Sequence, residues 1–117
     1  AGNVLLVEDD PQVAVLTRKF LTSLGLNVIT ANSLNEMRDR LIDEPPVDLL
    51  LTDVVLPGSA NGPVIAEEVK RLYPNVRVLF MSGYTNNAIA MEQDTALLTK
   101  PFSREDLARK LEEVLDP

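Results

Sequence analysis

Five short apolar runs, separated by stretches with helical periodicity, leave this chain few ways to fold. The runs are Asn3-Val4-Leu5-Leu6-Val7, Asn27-Val28-Ile29-Thr30-Ala31, residues 47–53, Arg77-Val78-Leu79-Phe80-Met81-Ser82 and Ala96-Leu97-Leu98-Thr99. Runs that are apolar almost without interruption read as strands buried on both faces, as in a parallel sheet. The central one, Val47-Asp48-Leu49-Leu50-Leu51-Thr52-Asp53, ends in a carboxylate and is followed by a break at Pro57-Gly58. Strict strand–helix alternation with short connections predicts an α/β fold with helices on both faces and right-handed crossovers. In 117 residues this suits one doubly wound domain, residues 1–117, with a five-stranded parallel sheet in the order 2-1-3-4-5.

The helices between the runs carry their own punctuation. Asp10 is placed to cap a first helix opened by Pro11, with Val13, Leu16, Phe20 and Leu24 as its apolar stripe and Gly25 ending it. Ser33-Leu34-Asn35-Glu36 is a capping box for a second helix running through Leu41 or Ile42 and stopped by Pro45-Pro46. Pro63 is expected to open a third helix bearing Ile65, Val69 and Leu72 and closed by Pro74. Residues 84–94 have weak periodicity and predict a short, mobile helix at best. Ser103 caps a last helix whose inner face holds Leu107, Leu111, Val114 and Leu115.

In a parallel sheet all carboxyl ends share one edge, and here that edge gathers reactive groups. Glu8 and Asp9 follow the first strand, Asp53 ends the third, Ser82 the fourth, and Lys100 follows the fifth. Three carboxylates at the point where strand order reverses repel one another, and a hard divalent cation such as Mg²⁺ would relieve this. The lysine and hydroxyl suit an anion beside such a metal. Asp is a nucleophile toward phosphorus, and positioning with charge neutralisation supplies most of the catalysis in phosphoryl transfer. Each residue also has an ordinary role available: Asp10 is better read as a helix cap than a ligand, Lys100 as a solvated lysine, Ser82 as a turn residue. Their arrival on one edge from separate strands favours the joint reading.

Over nearly its whole length the sequence resembles the receiver domains of two-component response regulators. The likeness rests on Leu5-Leu6-Val7-Glu8-Asp9-Asp10-Pro11, Leu51-Thr52-Asp53-Val54-Val55-Leu56-Pro57, Met81-Ser82-Gly83-Tyr84 and Lys100-Pro101-Phe102. The resemblance implies a flavodoxin-like fold with Asp53 as phosphoacceptor, Mg²⁺ as cofactor, and catalysis by the domain of its own phosphorylation and dephosphorylation. It implies metal binding by Asp9, by Glu8 through a water, by Asp53 and by the backbone carbonyl of Val55. Ser82 becomes the switch hydroxyl, Lys100 the partner of the phosphoryl oxygens, and Lys100–Pro101 a cis bond. The implied partner is a histidine kinase or histidine phosphotransfer domain in the cytoplasm, and the exposed face of the first helix near Val15 is its expected docking surface. Three departures from the family pattern stand out. The loop from Asp53 to Gly62 is one residue longer, Leu97 replaces a usual aromatic, and Ser82-Gly83-Tyr84 looks like receivers attached to hybrid histidine kinases.

Composition closes other routes. There is no cysteine and no histidine, so thiolate chemistry, histidine-ligated zinc and imidazole bases are absent. A formal charge of −7 argues against direct binding to nucleic acid or anionic membrane. No apolar run nears the roughly eighteen residues of a membrane span. A flavin carrier would need a neutral phosphate loop where Glu8-Asp9-Asp10 stands, and a Rossmann reading lacks its glycine fingerprint. An aspartyl-phosphate phosphatase would want a second acid where Val55 stands. The alternatives left are an interaction module of the same fold that works without phosphorylation, and the receiver of a transcriptional regulator. The abrupt start at Ala1-Gly2 fits a piece cut from a longer chain.

Overall fold

A computed structural model describes residues 2–56, 61–83 and 96–115. The strands are β1 (Asn3–Val7), β2 (Asn27–Ala31), β3 (Leu49–Asp53), β4 (Arg77–Ser82) and β5 (Leu97–Thr99). They form one sheet in the order β2-β1-β3-β4-β5, every pairing parallel. The helices are α1 (Pro11–Ser23), α2 (Leu34–Arg40), α3 (Gly62–Leu72) and α4 (Arg104–Leu115). The short helix expected over residues 84–94 lies outside the described residues. No helix among those described is long and apolar enough to cross a membrane.

The alternation of side chains along each strand divides the core in two. Leu5, Val7 and Leu50 face a cluster completed by Met37 of α2 and by Ile65 and Val69 of α3. Val4, Leu6, Leu49 and Leu51 face the other way, onto Leu21 of α1 and Leu107 and Leu111 of α4. The central strands are therefore apolar on both sides because both sides are covered by helices.

Local signals act largely as expected. The Asp10 carboxylate accepts from the Gln12 and Val13 amides, and Gly25 has the positive φ of 89° that releases the chain from α1. At α2 the Ser33 hydroxyl accepts from the Glu36 amide, while the Glu36 carboxylate accepts from the Asn32 amide, one residue before the cap. Ser103 and Asp106 exchange both bonds of a capping box at α4. Val114 and Leu115 are only partly buried, packed at the edge of the α1–α4 cluster.

Three details depart from the pattern. In α1 the buried positions are Thr17 and Leu21, while Leu16 is 51% exposed. The expected stripe holds at Phe20 and Leu24, which pack against the α1–α4 cluster, and misses at Leu16, whose inward place is taken by the buried Thr17. Leu72, the last residue of α3, is likewise exposed. α2 ends at Arg40, with Leu41 as its C-cap, well before the prolines; Glu44 then adopts a φ of 51°.

Candidate functional site

Registration of the parallel strands brings the acidic residues together. Thr52 of β3 pairs with Val7 of β1, so the residues that follow each, Asp53 and Glu8, emerge side by side at the carboxyl edge. The Glu8 amide donates to the Ala31 carbonyl at 3.0 Å, and the Lys100 amide donates to the Ser82 carbonyl at 2.8 Å. Both residues are thus held as extensions of the sheet rather than as free loop residues. The Lys100–Pro101 bond is cis.

Glu8 and Asp53 are buried, whereas Asp9 is exposed. One carboxylate oxygen from each of the three can be chosen so that all lie within 4.8 Å of one another. Lys100 Nζ lies between the two buried acids, 2.6 Å from Glu8 Oε1 and 2.5 Å from Asp53 Oδ1. The other oxygen of Glu8 accepts from the Asp10 amide at 3.1 Å. Thr52 is buried behind the site, its hydroxyl donating to the Asp53 carbonyl at 3.2 Å.

Two buried carboxylates beside a single ammonium are short of positive charge. Burial, and then the hydrogen bond and negative charge of Glu8, push the Asp53 carboxyl up from 3.8 to about 8, against the opposing pull of Lys100. Burial acts on Glu8 in the same direction. There the hydrogen bonds from Asp53, Lys100 and the Asp10 amide prevail, and its pKa falls below the ordinary 4.5. For Lys100, burial would lower the pKa, but its bonds to Asp53 and Glu8 raise it. The surroundings thus favour the charged forms of Glu8 and Lys100 and disfavour that of Asp53.

The remaining candidates take their places around this centre. Ser82 is buried at the end of β4, one residue past Met81, the register partner of Asp53. Val55 is 61% exposed just beyond Asp53, and Val15 on α1 is 54% exposed. Tyr84 and residues 57–60 lie outside the described residues. The donor set for a cation is all oxygen, two of its three carboxylates are buried together, and their crowding is what a hard divalent ion relieves. That chemistry fits Mg²⁺. One neighbour of Asp53 was not foreseen. Gly62, taken from the sequence as the end of a loop, is the first residue of α3 and lies against the Asp53 main chain. Its signal was the triple Asn61-Gly62-Pro63, in which a cap and a helix-opening proline enclose the residue without a side chain.

Comparison with known proteins places these features in context. The profile of the response regulator receiver domain matches residues 4–112. The chain is 33% identical over 123 aligned residues to the sensor kinase CckA of Brucella abortus (strain 2308), covering 99% of this chain but 13% of that protein. It is 30% identical over 116 residues to the response regulator receiver protein CpdR of the same organism, covering 96% of this chain and 95% of CpdR. The crystal structure of the receiver domain from the hybrid histidine kinase CckA superposes with a TM-score of 0.80 at 27% identity, covering 96% of this chain and 97% of that one. The chain therefore spans nearly the whole of one such relative and a small part of another.

Proposed function

Since the chain belongs to the response regulator receiver domain family of two-component systems, we propose that Asp53 is its phosphoacceptor, taking a phosphoryl group from a phosphohistidine on another domain or protein. The observation that carries this reading is the buried pair of Glu8 and Asp53 bridged by Lys100, with Asp9 beside them. Receivers take phosphoryl groups from histidine kinases or phosphotransfer proteins, and this chain has no histidine to serve as an internal donor.

An oxygen of ionised Asp53 attacks the phosphorus while the P–N bond to the donor imidazole breaks, leaving an acyl phosphate and a free histidine. Glu8, Asp9, Asp53 and the Val55 backbone carbonyl would hold Mg²⁺, which neutralises the charge that otherwise keeps Asp53 protonated. Lys100 would exchange its bond to the Asp53 carboxylate for one to a phosphoryl oxygen, remaining anchored to Glu8. Ser82, at the end of the adjacent strand, would turn its hydroxyl to the same group and carry the change outward. The exposed face of α1 around Val15 would receive the donor's helices.

The likeness to CckA supports the receiver of a hybrid sensor kinase, and we propose that it works in the cytoplasm; CpdR keeps a free-standing receiver as the second reading. The test is phosphotransfer from a labelled phosphohistidine donor with Mg²⁺ present. Wild type should take up the label and Asp53→Asn should not; equal labelling of the two would refute the assignment. Beryllofluoride binding, followed by NMR, separates this function from an interaction module that ignores phosphorylation.

A further inference from the structure

We infer that Gly62 is a positioning residue for the phosphoryl-transfer site, its missing side chain allowing α3 to seat directly on the main chain of Asp53; this rests on the function proposed above. Gly62 is buried at the first position of α3. A Cβ built on it would stand 2.3 Å from the Asp53 carbonyl oxygen and 2.9 Å from Phe80 Cε1. The first of these distances is far inside van der Waals contact and involves backbone, so no rotamer change relieves it. The requirement is space: the residue has ordinary helical backbone, and its φ is not the reason for glycine.

The contact sits where the site is least free to adjust. The Val54 amide donates to the Met81 carbonyl at 2.9 Å, and the Val54 carbonyl accepts from the Gly62 amide at 2.8 Å. The Asn61 side chain caps the same helix start by accepting from the Val64 amide at 3.1 Å. Asp53 and Val54 are thereby held between β4 on one side and the start of α3 on the other. A methyl group at Gly62 must push α3 away from the Asp53 carbonyl, break or stretch the bond to Val54, and turn the segment that leads to the Val55 carbonyl. Residues that orient a ligand without touching the ion typically matter about tenfold or more in metal affinity.

The experiment measures Mg²⁺ affinity by calorimetry or NMR titration, with melting temperature, for wild type, Gly62→Ala, Ile65→Val and Gly62→Ala/Phe80→Leu. Ile65 is buried in the core on the inner face of the same helix, so its variant reports general loosening of α3. We expect Gly62→Ala to bind Mg²⁺ about tenfold more weakly, Ile65→Val to bind as wild type, and Phe80→Leu to restore little. Wild-type affinity in Gly62→Ala overturns the inference. So does equal weakening in Ile65→Val, or recovery in the double variant, which would put the constraint on the ring rather than on the Asp53 carbonyl. Should Gly62→Ala fail to fold, Asn61→Ala takes its place: losing the cap loosens the same helix start and should weaken Mg²⁺ binding, and unchanged affinity overturns the inference. Absence of Mg²⁺ binding in wild type itself would instead strike the proposed function.

Discussion

Replacing Asp53 by Asn should stabilise the metal-free domain, and most strongly near pH 8. The buried carboxyl keeps its proton up to about pH 8 in the folded protein, against an ordinary 3.8. Between those values the unfolded chain gives up a proton that the folded chain retains, so stability from this group is full below 3.8 and is lost as pH rises toward 8. At about 1.4 kcal/mol per pH unit, the accumulated loss at pH 7 is roughly 4 kcal/mol. Asn mimics the protonated acid in shape and cannot ionise in either state. Part of the gain is forfeited because the amide N–H donates to the Glu8 carboxylate less strongly than the carboxylic O–H it replaces, leaving a net gain of about 2–3 kcal/mol. For a chain of this size that is a rise in Tm of roughly 8–12 °C. The window from pH 5 to 8 isolates the effect. The contribution of Glu8, whose pKa is lowered, is already complete above its ordinary 4.5, and that of Lys100, whose pKa is raised, holds until above 10.5. Urea unfolding at several pH values, without divalent ions, should show wild-type stability falling across this window and the variant nearly flat. Saturating Mg²⁺ should close the gap by stabilising wild type alone. Parallel curves for the two proteins from pH 5 to 8 would refute the reasoning.

Lys100→Met should cost the metal-free domain about 3–5 kcal/mol by leaving two buried acids without their shared cation, a loss that urea unfolding would show shrinking on addition of Mg²⁺. Asp9→Asn, at an exposed position, should change stability by less than about 0.5 kcal/mol yet weaken Mg²⁺ binding in a calorimetric titration. In α1, Leu21→Ala should cost about 2–5 kcal/mol, whereas Leu16→Ala should stay within about 0.5 kcal/mol; comparable losses on thermal melting would contradict the face assigned to this helix.

How far the sequence could be read depended on whether a feature was local. Strand positions came from runs such as Asn3-Val4-Leu5-Leu6-Val7, whose uninterrupted apolarity has one economical explanation, and helix starts from Asp10, Ser33 and Ser103, whose side chains bond within four residues. Strand order followed from alternation and handedness, so Glu8, Asp53, Ser82 and Lys100 could be assigned to one edge before any coordinates. What escaped depended on distance or space. The apolar stripe of α1 was drawn from side-chain type, and Thr17 took the inward place that Leu16 was expected to fill. The direct bridge from Lys100 to both acids needed their actual separation. The role of Gly62 was hidden for the same reason: Asn61 and Pro63 mark it as a helix start, but a glycine's absent side chain has meaning only against what would have struck it.

These observations bear jointly on why the site lies where it does. The carboxyl edge of a parallel sheet offers adjacent strand ends whose main chain is already fixed by the ladder, so Glu8, Asp53 and Lys100 can be pressed together without their backbones yielding. A looser surface would let the acids separate, each would ionise at its ordinary pKa, and nothing would be gained when a cation arrived. Here the repulsion cannot relax, because Glu8 is tied to β2, Lys100 to β4, and Asp53 is backed by α3. The raised pKa of Asp53 is the outlet for that stress, and under the function proposed above a bound cation would exchange the proton for the anion that phosphoryl transfer requires. The instability predicted for the metal-free domain near pH 8 and the nucleophile proposed for the reaction are therefore two consequences of the same rigid edge.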